Sequence, residues 1–178
     1  MSTIIATENG WWYSAVVPGN KRVLAFQTDS DLIERSAIKN LDAFLELTKE
    51  NTEIRRIVEN NIDDIEFHGT VSANSTRLEQ VAGHQWVALG DAAISFDPLS
   101  SQGMFNAMAS AMQLKRLLTT STIVHDQDAQ NSLQFQQTYT KQIDNIWEHY
   151  LYHKNLFYKA EMRWTEHPFW ARRHIRTK

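Results

Sequence analysis

Residues 86–112, "WVALGDAAISFDPLSSQGMFNAMASAM", change character twice. An apolar run closes on Gly90-Asp91, and a loop follows with a second acid, Asp97, before Pro98. A helix rich in Ala and Met then opens at Gln102-Gly103. Singly, these pieces have ordinary structural uses: a turn after a strand, and a core helix. Together they make a ligand cradle. At the carboxyl end of a strand, Asp91 can accept hydrogen bonds from ligand hydroxyls, and Gly90 leaves room for close approach. The segment Pro98–Gly103 leads backbone N–H groups to a helix start, where unsatisfied donors and partial positive charge suit an anionic or carbonyl-rich edge. Ala107, Ala109 and Ala111 are small enough for that helix to lie close to sheet or ligand. The implied ligand is long, with hydroxyls at one end and an electron-poor, acceptor-bearing ring at the other.

Either side of this stretch, the pattern is that of an ordinary globular chain. The 178 residues correspond to one domain or part of a larger one, and 42% hydrophobic content supports a true core. A net charge of −3 gives no reason to expect nucleic acid or a membrane surface as partner. No apolar run approaches the roughly 20 residues that span a bilayer. The opening "MSTIIATENG" lacks the basic and apolar regions of a signal peptide, so the expected location is cytoplasmic. The absence of cysteine removes disulfides, thiolate metal sites and cysteine nucleophiles together. Six Trp, eight Phe and five Tyr could serve a core or line a pocket for a flat ligand, so their number alone does not discriminate.

Toward the N-terminus, residues 3–27 read as a β-meander, with turns at "ENG" and "PGNK" and both faces of "WWYSAVV" apolar or aromatic. Such a sheet is covered on both sides, or lines a pocket with one of them. From about Ser30 to Asn60 the period becomes helical, with Leu41, Phe44 and Leu45 on one stripe, and "TEIRRIVEN" forms a second helix. "DDIEFHGTVSANSTRL" returns to extended structure, and 85–90 is a strand that would join a parallel sheet. Met104, Met108, Ala111, Leu114 or Lys115, and Leu118 recur at helical spacing over 102–119. Tyr139, Ile143, Ile146, Trp147, Tyr150, Leu151 and Phe157 do so along a long helix over 128–163. "ARRHIRTK" reads as a solvated basic tail.

"GDAAISFDPLSSQGMFNAMASA" resembles the second FAD-binding motif of flavoprotein monooxygenases and flavin-dependent halogenases. That motif is Gly-Asp-Ala, a Pro-containing loop, and Gly at a helix start. The resemblance implies that Asp91 holds the ribityl chain of FAD and that the loop and helix start face the isoalloxazine pyrimidine edge. Gly90, Ala92, Pro98 and Gly103 match the motif with Asp91, and Ser101, Gln102 and Met104 join them as cofactor-binding residues. "GWWYSAVVPGNKRVLAFQTD" looks like the substrate-domain hairpin of the same family, which makes Trp12, Tyr13 and Ser14 substrate-pocket candidates. "FYKAEMRWTEHPFWARRH" looks like the C-terminal end of the halogenase-like branch.

Departures from the motifs narrow the subclass. Trp11, Tyr13, Ala15 and Val16 stand where tryptophan halogenases carry the Trp, Trp, Ile and Pro of Trp-x-Trp-x-Ile-Pro. Ser100 replaces the functional glutamate after Pro-Leu, and Gln102 the halide-adjacent Thr. The branch implied is that of flavin monooxygenases or oxidoreductases, including those that hydroxylate amino-acid side chains. The fold implied is α+β, the C-terminal portion of an FAD-binding monooxygenase-like fold. Its parts are a substrate-domain hairpin and helices over 1–69, the second FAD-binding motif over 70–125, and an amphipathic helix with basic tail over 126–178.

The six glycines, at 10, 19, 69, 83, 90 and 103, cannot form Gly-x-Gly-x-x-Gly, whose helix start binds a dinucleotide pyrophosphate. The isolated chain is therefore expected to hold FAD weakly or not at all, and to need a missing N-terminal FAD half or to self-associate. The substrate expected is a small molecule or an amino-acid side chain. No residue is compelled to act as acid or base, so no catalytic residue is named. His149 and His153, at i and i+4, lack an evident third ligand, and no metal is expected. Two rival readings are a non-catalytic binding module that kept the fold, and a hydrolase using Ser100 with His84 or His149.

Overall fold

The computed structural model describes residues 2–33, 39–60, 65–120 and 129–175. It divides into two compact units, Met1–Val71 with Phe157–Lys178, and Ser72–Leu156. The architecture is α+β, and every strand pairing among the described residues is antiparallel. No helix is long and apolar enough to cross a membrane among the described residues.

The first unit is built on the meander β1 (Ser2–Thr7), β2 (Gly10–Val17) and β3 (Lys21–Gln27), with β2 central. Thr7 pairs with Gly10, so the first turn is Glu8-Asn9, one residue earlier than "ENG" implies. Gly10 is instead the first residue of β2. A Cβ there would lie 2.1 Å from the Gln27 carbonyl oxygen, and its φ of +153° also favours glycine. Consecutive strand residues point to opposite faces, and both tryptophans of β2 are buried. Trp12 packs on Phe26 at 4.7 Å and on Phe44 at 5.5 Å. On the opposite face Trp11 donates its indole N–H to the Tyr158 hydroxyl at 3.2 Å. The double covering expected of this strand is thus present at its tryptophan end.

Helices α1 (Leu41–Thr48) and α2 (Thr52–Glu59) each start on an asparagine. Asn40 accepts from Ala43 N, and Asn51 from Glu53 N and Ile54 N, which satisfies donors a helix start leaves free. The helical pattern expected from Ser30 begins only at this cap: residues 30–33 are turn and bend, and 34–38 lie outside the described residues.

The first four residues of the expected solvated tail, 171–174, instead belong to helix α5 (Pro168–His174), whose Phe169 and Trp170, just ahead of them, are buried; 176–178 lie outside the described residues. Trp170 donates its indole N–H to the Thr7 carbonyl at 2.7 Å. Arg172 bridges Asp29 and Asp31, and Arg173 grips both oxygens of Asp29 at 2.7 and 3.1 Å. Burial pushes the Asp29 carboxyl up, but hydrogen bonds and charge from Arg173 and Arg172 outweigh it, so its pKa falls below the usual value.

The second unit carries two small ladders, β4 (Thr76–Arg77) with β7 (Ile94–Ser95) and β5 (Ala82–Gly83) with β6 (Trp86–Val87). The strand expected over 85–90 shrinks to β6, a hairpin arm beyond Gln85, which has φ +62°. Its pairing is antiparallel, not the parallel one expected. Helix α3 (Gly103–Thr120) and the second-unit part of α4 (Ala129–Ala160) pack on a core of Val81, Ala88, Ala93, Ile94, Tyr139 and Ile143. Along α4 the periodic residues Tyr139, Ile143 and Tyr150 are buried as their spacing predicts, but Phe157 is exposed and Tyr158 is buried in its place.

Candidate cofactor site

The strand leading to Gly90 ends with Ala88 held from behind, because the buried Tyr139 hydroxyl donates to the Ala88 carbonyl at 2.7 Å. Burial raises the Tyr139 pKa, which keeps that donor protonated. The chain then tightens into a 3-10 turn, Gly90–Ala92. Gly90 has φ +57°, and a Cβ on it would lie 3.3 Å from the Ala107 Cβ. The close approach that Gly90 permits is thus that of helix α3, and the small Ala107 is what allows it.

Past the turn, Ala93 and Ile94 drop into the core. Phe96 then packs against the Tyr150 ring with centroids 4.5 Å apart. Asp97 caps a second 3-10 turn, Pro98–Ser100, its carboxylate accepting from Leu99 N at 2.9 Å. This is the turn-forming role its position before Pro98 favours. Ser101 closes the turn at φ +51° and donates its N–H to the Pro98 carbonyl at 3.1 Å. Two residues later α3 begins at Gly103.

This path returns the helix start to the first turn. A Cβ built on Gly103 would lie 3.9 Å from the Asp91 carboxylate oxygen Oδ1. The acid and the glycine, twelve positions apart in sequence, thus form one cluster. Asp91, Ala92, Pro98, Ser101, Gln102 and Met104 are exposed, while Gly90, Ala93 and Ile94 beneath them are buried. The result is an open rim on a packed floor. It offers a carboxylate as acceptor, and the first-turn donors of an 18-residue helix with their partial positive charge. These residues fit the hydroxyl chain and carbonyl-bearing ring edge of a flavin. They provide no Gly-rich turn for a pyrophosphate.

The substrate-pocket candidates lie in the first unit. Trp12 is buried against Phe26 and Phe44, and Ser14 is buried with its hydroxyl accepting from Arg22 Nη1 at 2.7 Å. Tyr13 points to the opposite face and is half-buried, so the three do not share one wall. Ser100 Oγ accepts from Gln102 N at 3.3 Å, and no imidazole bonds to it among the described residues. The His149 and His153 rings lie 4.2 Å apart, with His153 Nδ1 2.9 Å from the His149 carbonyl. No group of three metal-ligating side chains is present among the described residues.

Two residues that sequence reasoning placed in the core without a role prove to hold this site, Tyr139 and Tyr150. Tyr150 accepts the Asp97 N–H at 2.8 Å and is hydrogen-bonded to Ser75. Their only signal in the sequence is a hydroxyl on an otherwise apolar helical stripe.

The family model described as tryptophan halogenase matches residues 2–178. A protein of Marinomonas mediterranea named "Putative FAD-dependent oxidoreductase LodB" is 30% identical over 171 residues, covering 96% of this chain and 44% of that protein. The solved structure "Peptidyl tryptophan dihydroxylase QhpG essential for tryptophylquinone cofactor biogenesis" shares the fold. It superposes with a TM-score of 0.77 at 19% identity, over 97% of this chain and 39% of its own. The chain therefore spans less than half the length of either relative. With a family match over residues 2–178, the chain belongs to the tryptophan halogenase family.

Proposed function

We propose that this chain is part of an FAD-dependent oxidoreductase of the monooxygenase kind, providing the ribityl and isoalloxazine side of the flavin site. The observation that carries this reading is the convergence of the Asp91 carboxylate on Gly103 at the start of α3. Asp91 accepts from the ribityl hydroxyls, and the α3 N-terminus faces the acceptor-rich edge of the ring. Bound there, FAD supplies the oxygen-dependent redox chemistry, which no protein side chain can provide. This chain's own residues bind and orient it. Ser100 and Gln102, and the departures at Tyr13, Ala15 and Val16, favour oxygenation over halogenation. An amino-acid side chain is the substrate class we favour, because the shared fold includes a peptidyl tryptophan dihydroxylase.

Titration of FAD followed by flavin fluorescence tests the proposal. The chain alone is expected to bind weakly, and a separately supplied dinucleotide-binding half to raise its affinity by orders of magnitude. Asp91→Ala should then cost about 1.5–3 kcal/mol, the scale of hydrogen bonds to a charged group. Unchanged affinity in that variant would sink the assignment of Asp91. Flavin binding with no oxygen-dependent turnover would favour a non-catalytic module.

A further inference from the structure

We infer that Tyr150 is the positioning residue of the Asp97–Ser101 loop, and through it of the flavin-facing start of α3. The inference rests on the flavin reading only in its second clause. Tyr150 lies 53 residues from Asp97 in sequence, yet its hydroxyl accepts the Asp97 N–H at 2.8 Å. The same hydroxyl bonds to Ser75 Oγ, which Lys154 Nζ meets at 3.3 Å while lying 5.5 Å from the Tyr150 ring centre. Phe96 and Trp147 pack on that ring at 4.5 and 5.5 Å, so the hydroxyl has a fixed place to act from.

The loop folds outward from the bonded amide. Asp97 Oδ1 takes the Leu99 N–H, the Asp97 carbonyl takes that of Ser100, and the Pro98 carbonyl that of Ser101. Pro98 has no N–H of its own to contribute. The loop's internal bonds thus hang on a residue whose main chain is fixed from α4. A lysine, a serine and a tyrosine in one cluster could in principle relay protons. Burial, however, raises the Tyr150 pKa, and the hydrogen bonds from Ser75 and Asp97 N oppose that rise without cancelling it. The hydroxyl stays protonated at neutral pH and serves as a fixed hydrogen-bond partner.

Tyr150→Phe keeps the ring and its packing and removes only the hydroxyl. Tyr139→Phe is the matched control, since it removes another buried hydroxyl of α4, one bonded to Ala88 and not to the loop. Amide hydrogen exchange on the full chain should rise about tenfold at Leu99, Ser100 and Ser101 in Tyr150→Phe only, the scale of one hydrogen bond. With FAD and a dinucleotide-binding half added, Tyr150→Phe should shift the bound flavin's visible absorption bands; because Tyr139 holds Ala88 beside the same site, that control is read by loop exchange alone. Unchanged exchange at those amides, or exchange raised equally throughout α3 and α4, would overturn the inference. If the unmodified chain takes up no FAD even with a dinucleotide-binding half supplied, the flavin reading falls, and loop exchange still decides the role of Tyr150.

Discussion

The two glycines of the Gly90–Gly103 cluster have different physical roles, and substitution separates them. At Gly90 a side chain must adopt φ +57° and press its Cβ to 3.3 Å from that of Ala107. Gly90→Ala should lower unfolding free energy by about 1–3 kcal/mol in urea denaturation, the left-handed penalty plus overpacking. Gly103 sits in a right-handed helix with its would-be Cβ at an ordinary 3.9 Å from Asp91, so Gly103→Ala should leave stability unchanged or raise it by up to about 1 kcal/mol. Its cost should appear in flavin affinity instead. The pairing of Asp91 with Gly103 was legible because turn and helix-start chemistry is local. Tyr139 and Tyr150 were not, because their partners stand 51 and 53 residues away and no local pattern encodes them.

Among elements, α5 shows how charge patterning misleads when the partner is remote. Three basic residues near the end of the chain read as solvated, yet Arg172 and Arg173 pair with Asp29 across 143 and 144 positions. The pairing has a pH signature. A carboxyl held below its usual pKa in the folded state stabilises above the unfolded value of about 4, and that stabilisation is lost as pH falls through the lowered folded value. The α5 helix should therefore loosen below about pH 4, seen as a change in tryptophan emission as Trp170 leaves the Thr7 carbonyl. Asp29→Asn should loosen it already at neutral pH and flatten the acid step. Helix α3 offers a second lesson. Periodicity identified a stripe through Met104, Met108, Ala111 and Leu114 or Lys115; Leu114 does pack inward, but beside Asn106, Ser110 and Leu117, while Met104 and Met108 are exposed. Small and polar residues bury there because Ala107 comes so close to Gly90, and hydrophobicity alone does not find them. By contrast, the meander and the helices α1 and α2 were legible in kind, though the first turn falls one residue early and α1 starts only at its Asn40 cap.

For the molecule as a whole, the outward stripe of α3 is the feature left to account for. Met104, Phe105, Met108 and Met112 are 78%, 68%, 59% and 74% exposed, a run of apolar surface rare on a chain that stays single. We expect the isolated chain to self-associate, with light-scattering mass rising with concentration. Met108→Glu combined with Met112→Lys should abolish the rise, and a concentration-independent monomer in the unmodified chain would contradict it. Three of those four exposed side chains are thioethers. Sulfoxidation would convert the stripe from apolar to polar without touching the core, because none of the three methionines lies on the buried face. Under the proposed flavin chemistry, stray peroxide would oxidise the exposed thioethers of this surface. Its stickiness would then record the oxidative history of the molecule.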